Sequence, residues 1–448
     1  MNGTLTKKMA DVKPETLFVG VDMGLDANVA VVLNAQAQRL ARFRFPNDAD
    51  GYAYFRRRLK QLQERHQAPA VMVAMESTNY FWKLLATDLE AHEIEYRLVN
   101  AYTVKKRREG DQLDRSKDDA RDAFTIADVL HSGRCMKTQL FHDGYAELRQ
   151  YAILHDRLGR DVRRQKNFIH NIAGQLFPEF SSVFKDFTGQ TAVAMLRQHA
   201  AAVCVRQMPF GEFIAAIRAD FRGSRLMMSK LRQVHKLAAR SVGLQHGVEA
   251  LQLALRLHIE TLEVLQKQQE QVQAALLDTF NTLSESRYLL SLPKLGAVSA
   301  AIILAEMGDP RRYRNASQLV KLAGLQPVPN TSGRRSRSRT PISRKGRPRL
   351  RTTLYFAVMR LVQSDDAFAS AYQHFLQRPK NPLTRMQALG ALMNRLLRIL
   401  WTHALPATLR PTLSAGRLVL AWAYNAAGAF SGSLVLDTRR RGDTVFLP

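Results

Sequence analysis

The stretch LFVGVDMG, residues 17–24, decides the fold of the N-terminal part of this chain. It is an apolar run that ends in an acid and a Met-Gly turn, the pattern of a buried strand with a polar end. The apolar runs NVAVVLN (28–34) and RLARFRFP (39–46) follow after short turns. Tight turns are typical of antiparallel neighbours, so the three runs predict an antiparallel three-stranded sheet.

The connections between the later apolar runs are longer. A helical pattern at about 51–66 leads to the strand VMVAME, a second at about 80–92 leads to YRLVN, and a third spans about 116–131. Hairpin strands followed by crossover helices predict a mixed sheet flanked by helices. That order is typical of the ribonuclease H-like fold, which we assign to residues 16–140.

Two later stretches carry apolar residues in alternating steps of three and four. The first runs from Leu148 to Ile172 and the second from Val248 to Leu276. They predict two long helices, either packed on a globular core or forming a coiled-coil hairpin that also serves oligomerisation, which we favour. We assign 141–284 to this helical linker, with an unassigned basic insert at 173–245.

The C-terminal part begins with LLSLPKLGAVSAAIILAEMGD, residues 289–309, which has the form helix, turn, helix. It resembles a helix-hairpin-helix, whose turn can present backbone N–H groups to a phosphate. The loop TSGRRSRSRTPISRKGRPRLR, residues 331–351, follows with nine basic residues and no acid. Further helices predict a mainly helical domain at 285–404, so the fold class is α/β plus α. The tail, 405–448, has no interpretable motif.

Composition indicates a nucleic-acid partner. The 448 residues are 46% hydrophobic, enough for a sizeable core, and 66 Lys and Arg against 39 Asp and Glu give a net charge of +27. Such a charge favours binding to a polyanion by counterion release. The two cysteines form no close pair, no signal sequence is recognisable, and residues 418–436 are too weakly apolar for a membrane span. We expect a cytoplasmic protein without a membrane partner.

Four acids could carry chemistry. Asp22 and Glu76 end two strands that should lie side by side, and Asp119 and Asp122 are three apart, so they share a helix face. Asp118 with Asp122 is the alternative register. Four carboxylates at one sheet edge suit Mg²⁺ or Mn²⁺ and phosphodiester cleavage. The alternative is a set of ordinary solvated acids.

Several segments together resemble one family. FVGVDMGLDANVAVV, AMES, DRSKDDARDAFTIADVL, the 292–333 segment and RKGRPRLRTTLY are similar to the insertion-sequence 110 family of DEDD transposases, over about 17–131 and 288–403. The resemblance implies a RuvC-like N-terminal domain, a C-terminal transposase domain, and a bridge RNA that pairs with donor and target DNA. It also implies assembly as a homodimer or homotetramer. The insert and the tail depart from the compact family pattern.

Carried onto this sequence, the resemblance assigns the metal-binding and catalytic tetrad to Asp22, Glu76, Asp119 and Asp122. It assigns the nucleophilic serine to Ser332, with Thr331 and Ser336 as substitutes. We expect the basic side chains of the following loop to contact nucleic acid: Arg334, Arg335, Arg337, Arg339, Arg344, Lys345, Arg347 and Arg349.

The function predicted from sequence is therefore a DNA transposase or recombinase that excises and integrates an insertion sequence. A Holliday-junction-resolvase-like nuclease would use the same tetrad with water and need no serine, and a plain resolvase would be much shorter. A non-catalytic nucleic-acid-binding protein is the third possibility. The sugar-kinase and actin-like ATPase folds share the VGVDMG opening but need a Gly-Gly segment, which this chain lacks.

Overall fold

The structure is a computed structural model. It divides into two compact units, Met1–Phe141 and His142–Pro448, and each is described by itself. The residues that the structure describes are 12–77, 80–111, 119–135, 140–221, 223–328, 331–332, 335–336, 341–405, 422–424 and 430–432.

The first unit is built on a five-stranded mixed sheet. Its strands, in the order β3-β2-β1-β4-β5, are β1 (Leu17–Asp22), β2 (Ala27–Leu33), β3 (Arg39–Pro46), β4 (Val71–Glu76) and β5 (Glu95–Val99). The hairpin strands β1, β2 and β3 pair antiparallel, whereas β4 pairs parallel to both β1 and β5. The mixed sheet predicted from the sequence is confirmed, including the neighbouring positions of β1 and β4.

Helices cover both faces of this sheet. They are α1 (Ala49–Arg65), α2 (Phe81–Ala91), α3 (Ala101–Asp111) and α4 (Asp119–His131). Side chains of α1 and α2 share one apolar cluster with the sheet, and those of α4 share the other. The sequence predicted α1, α2 and α4 to within a few residues but did not predict α3, which is strongly basic and contributes one buried valine, Val104.

A glycine in β1 lets α4 lie directly against the sheet. A Cβ atom at Gly20 would stand 2.2 Å from the carbonyl oxygen of Ala123 and 2.3 Å from the amide nitrogen of Ala127. Both distances are far below van der Waals contact, so any larger residue would push the helix away. The glycine of the VGVD run therefore fixes how closely α4 approaches the end of β1.

The second unit begins with two long helices, α5 (Asp143–Leu176) and α11 (Val248–Thr282), which pack against each other. Seam positions such as Leu158, Ile169 and Leu262 are buried, as the spacing predicted. Two polar seam residues pair across the helices, since Nδ1 of His258 lies 2.7 Å from Oε1 of Gln165. Supercoiling and self-association of these helices stay predictions.

The basic insert forms a small helical subassembly. Its helices are α6 (Phe180–Val183), α7 (Gln190–His199), α8 (Ala202–Arg206), α9 (Phe210–Asp220) and α10 (Met228–Ala238). They share an apolar cluster with the C-terminal half of α5 and the N-terminal half of α11, around fully buried rings such as Phe180 and Phe213. The insert is thus a packed extension of the long helices.

The C-terminal helices form a second apolar cluster with the start of α5 and the end of α11. They are α12 (Glu285–Leu290), α13 (Ala297–Met307), a 3-10 turn (Pro310–Arg312), α14 (Ala316–Leu322), α15 (Pro348–Ser364), α16 (Asp366–Gln377) and α17 (Arg385–Ala404). Short antiparallel strands pair β6 (Thr331–Ser332) with β7 (Arg335–Ser336), and β8 (Trp422–Tyr424) with β9 (Phe430–Gly432). The helix, turn, helix form is present as α12 and α13, while its contact with phosphate stays a prediction.

No helix within the described ranges is long and apolar enough to cross a membrane. Most of the 418–436 segment lies outside the described residues.

Candidate active site and nucleic-acid interface

The two strand-end acids lie side by side at one edge of the first unit's sheet. Val21 of β1 pairs with Met75 of β4 in parallel register, so the residues that follow them, Asp22 and Glu76, are neighbours. Val21 and Met75 belong to the cluster under α1 and α2. Because strand side chains alternate between faces, Asp22 and Glu76 lie on the opposite face, under α4. The pairing predicted for these acids is confirmed.

The other two acids open helix α4. Asp119 is its first residue and is exposed, and Asp122 lies one turn on and is buried. The alternative residue, Asp118, lies outside the described residues. All four acids of the predicted tetrad line one cleft of about 510 Å³. The structure therefore brings together the four carboxylates that the sequence singled out.

Helix α3 forms another wall of this cleft, through Ala101, Val104, Lys105 and Arg108. Nη1 of Arg108 donates to Asp122, at 2.9 Å from Oδ1 and 3.3 Å from Oδ2. The Arg108 side chain is 44% exposed and that of Asp122 is 12% exposed. Sequence reasoning missed both cations of this wall. The signal that could have found them is the run KKRR, which begins at Lys105, with five residues between it and the end of the strand YRLV.

The donor chemistry of the cleft suits a hard divalent cation, because its acids offer only carboxylate oxygens. Within the described part of the chain, however, no three His, Cys, Asp or Glu side chains stand together closely enough to hold one ion. The cleft therefore has the carboxylate ligands that such an ion needs, but with Arg108 bound to Asp122 they do not form a closed coordination shell.

The predicted serine lies in the second unit, on a short hairpin. Backbone pairing joins Ser332 to Arg335 and Thr331 to Ser336. The side chains of these four residues are outside the description, as are the whole of Arg334, Arg337 and Arg339. The structure accordingly gives the backbone frame of the serine but not the surroundings of its hydroxyl.

The base of this hairpin is fixed by a ladder of backbone hydrogen bonds. The amides of Val328 and Ser343 donate to Pro341 and Gln326 at 2.8 and 2.9 Å. Below them, the amide of Arg347 donates to the carbonyl of Leu322 at 2.7 Å. A Cβ atom at Gly346 would stand 2.3 Å from that same carbonyl oxygen, so a glycine is required where the two segments meet. The serine hairpin is therefore anchored between the end of α14 and the start of α15.

A buried acid binds arginines at the base of the same hairpin. Glu306 of α13 is 2% exposed, and its Oε1 lies 2.6 Å from Nη1 of Arg349. Its Oε2 lies 3.2 Å from Nη1 of Arg149 and 3.7 Å from Nη1 of Arg347. Burial and, to a lesser extent, the charge of nearby Arg149 lower the pKa of Arg347 to about 10, so the group stays cationic at neutral pH.

This network divides the eight basic residues predicted to bind nucleic acid. Arg347 and Arg349 are partly buried and bound to Glu306, so the structure gives them a place in the fold, and their contact with nucleic acid stays a prediction. Arg344 and Lys345 are exposed next to the hairpin base. The exposed cations Arg344 and Lys345 lie next to the base of the hairpin that carries the predicted serine, as expected for a nucleic-acid surface.

The mixed sheet, with four acids around one cleft, fits the DEDD class of ribonuclease H-like domains. Residues 19–178 match the family model of IS110-type DEDD transposases, and residues 286–373 match that of the IS116/IS110/IS902 transposases. Together the two matches span more than half of the chain. The chain belongs to the IS110 family of transposases, whose members cut and recombine DNA.

Named relatives match between 71% and 86% of the chain. An uncharacterised protein of insertion element IS116 from Streptomyces clavuligerus is 25% identical over 86% of this chain and 94% of its own length. The putative transposase of the IS117 mini-circle from Streptomyces coelicolor is 24% identical over 71% of this chain and 78% of its own. A protein of IS900 from Mycobacterium paratuberculosis is 25% identical over 86% and 95%.

Proposed function

We propose that this protein excises and integrates an insertion sequence by metal-dependent cleavage and exchange of DNA strands. The observation that carries the proposal is the convergence of Asp22, Glu76, Asp119 and Asp122 on one cleft. Acids without a shared task have no reason to gather there, because like charges at close range raise each other's free energy.

The four carboxylates are the residues that would hold Mg²⁺ or Mn²⁺. When bound, such ions neutralise charge on the scissile phosphate and stabilise the attacking and leaving oxygens. Asp22 and Glu76 stand on rigid strand ends and Asp119 and Asp122 on the first turn of α4, so the sheet and the helix determine where these oxygens lie.

The nucleophile in this proposal is the hydroxyl of Ser332. Its Oγ attacks the phosphorus of the scissile phosphodiester, the serine proton leaves, and the bond from phosphorus to one sugar oxygen breaks. That oxygen takes up a proton and becomes a free hydroxyl, while the protein is left with a phosphoserine link to DNA. Attack by a hydroxyl of another strand reverses the step and completes strand exchange. The hydrogen-bonded base of the hairpin supports this role, because it holds the two segments that lead to the serine together.

Nucleic-acid binding follows from charge. The chain carries +27, and residues 331–351 include nine basic residues and no acid, so phosphate contacts should dominate its affinity for donor and target DNA. The family resemblance adds a guide RNA and assembly of a homodimer or homotetramer. The tetrad and the serine belong to different units, so the proposed chemistry requires a composite active site, completed within one chain or between protomers.

A cleavage assay with two matched variants tests the tetrad. Asp119→Asn removes one charge from the cleft, whereas Asp128→Asn removes one from the same helix, at an acid that binds Arg107 at 2.8 Å. We expect Mg²⁺-dependent cleavage of DNA carrying the element's ends to be lost in the first and retained in the second. Equal activity in both variants would contradict the proposal.

The guide RNA has its own test. RNA that co-purifies with the expressed protein is sequenced and compared with the DNA flanking the element. Segments complementary to both donor and target are expected. Binding of RNA without such segments would contradict guidance.

A further inference from the structure

The ion pair between Arg108 and Asp122 joins a basic helix to a tetrad acid inside the cleft. The neighbouring arginine on the same helix has a different partner, since Nε of Arg107 lies 2.8 Å from a carboxylate oxygen of Asp128. Neither Arg107 nor Asp128 lines the cleft. Of the two, only Arg108 is a wall of the cleft and contacts a residue of the tetrad.

A guanidinium on Asp122 is in competition with a divalent cation on Asp122. Arginine keeps its charge at all accessible pH values, so it cannot yield by losing a proton. Two cations against one carboxylate repel each other, and binding one of them weakens binding of the other. The Arg108 side chain is 44% exposed and sits on a long flexible stem, so it can leave Asp122 without unfolding α3.

A guanidinium released from Asp122 still lines the cleft that holds the four acids. Planar guanidinium groups bind phosphate oxygens in paired hydrogen bonds. Lys105 lines the same wall one turn earlier and offers a second cation. The wall therefore matches the phosphates that flank the scissile one.

We propose that Arg108 is a positioning residue with two successive partners: it holds Asp122 in the DNA-free protein and moves to a DNA phosphate when a divalent ion occupies the tetrad. This rests on the proposed function in one respect, namely that the tetrad binds metal. It predicts that one substitution shifts metal affinity and DNA affinity in opposite directions.

The first measurement is calorimetric titration of the full-length, nucleic-acid-free protein with Mn²⁺. Arg108→Gln is expected to lower the Kd for Mn²⁺ by about three- to fivefold, the effect of removing one partly exposed competing charge. Arg108→Lys keeps the charge and should return the Kd most of the way to the wild-type value. Arg107→Gln is the matched control and should leave it within about twofold.

The second measurement is the affinity for a DNA duplex of the element's end in Ca²⁺, an ion that also takes oxygen ligands. Arg108→Gln should weaken this binding by about three- to tenfold, because a charge-assisted phosphate contact is lost. Thermal midpoints of all variants establish that they are folded. A merely structural Arg108 would instead loosen Asp122 and weaken Mn²⁺ binding.

Mn²⁺ affinity that is unchanged or lower in Arg108→Gln overturns the proposal, and so does unchanged DNA affinity. The assumption that the tetrad binds metal is tested separately. If the Asp22→Asn variant binds Mn²⁺ as tightly as the wild-type protein, then the tetrad is not a metal site. A supporting result needs both opposite shifts, with Arg107→Gln showing no shift in Mn²⁺ affinity.

Discussion

Acidic side chains have different surroundings at Glu306 of the second unit and in the cleft of the first unit. Glu306 is almost fully buried and has three arginines within 4 Å. The four acids of the predicted tetrad line one cleft, and Arg108 is bound to one of them. Cations around a buried acid stabilise the fold, whereas in the proposed function the acids of the cleft serve chemistry at the cost of mutual repulsion. The comparison predicts opposite effects on stability when each kind is removed.

The largest expected effect is on activity, at the cleft. Glu76→Ala or Asp119→Ala should reduce DNA cleavage on the order of a thousandfold, as expected when a preorganised electrostatic group is lost. The thermal midpoint in Mg²⁺-free buffer should stay the same or rise, because one of several repelling charges is gone. A lower midpoint with intact cleavage would contradict the comparison.

Removing the buried acid should do the reverse. Glu306→Ala leaves Arg149, Arg347 and Arg349 facing one another and should lower the free energy of unfolding by about 3–5 kcal/mol, the usual cost of orphaning buried charge. Urea denaturation measures this. Glu270→Ala, at an exposed acid of α11, is the control and should change stability by less than about 0.5 kcal/mol. A similarly small effect at Glu306 would mean that the network does not anchor the hairpin base.

The hairpin base can be tested by two glycines. Gly346→Ala places a Cβ atom against backbone atoms of Leu322 and Gly324 and should destabilise the protein by about 1–3 kcal/mol. Gly390→Ala, inside α17 with no atom within 4 Å of the added carbon, should stabilise it by about 0.5–1 kcal/mol. Denaturation midpoints that shift in the same direction would show that the close approach at Gly346 is absent.

The smallest effect per residue is expected from the exposed cations. Changing Arg334, Arg335, Arg337 and Arg339 together to glutamine should flatten the slope of log affinity for duplex DNA against log salt by about 3–4, close to one unit per lost phosphate contact. Fluorescence anisotropy at several salt concentrations measures the slope. No change would place the main nucleic-acid surface elsewhere.

The same contrast explains what the sequence could predict. Asp22 and Glu76 were identifiable because each ends an apolar run, and the strand order that makes them neighbours follows from connection lengths. Asp119 and Asp122 followed from helical spacing. These features are local and periodic, so residue patterns report them.

The parts that sequence reasoning missed depend on contacts between distant segments. Helix α3 has little apolar periodicity, so Arg108 looked like one charge in a basic run. Glu306 lies in the apolar run IILAEM, and its partners come from residues 149, 347 and 349. Two of these arginines were indistinguishable in sequence from their exposed neighbours, because burial is a property of the packed helices.

The most direct test of the account is the chemical fate of a suicide DNA substrate, which traps a cleaved strand. After incubation and protease digestion, mass spectrometry should find a nucleotide linked to Ser332 in the wild-type protein. No adduct should form with Asp22→Asn, which lacks a tetrad charge, or with Ser332→Ala. Mixing those two variants should restore some adduct if the site is completed between protomers. Free hydrolytic ends without an adduct, or an adduct on Thr331 or Ser336, would contradict the account.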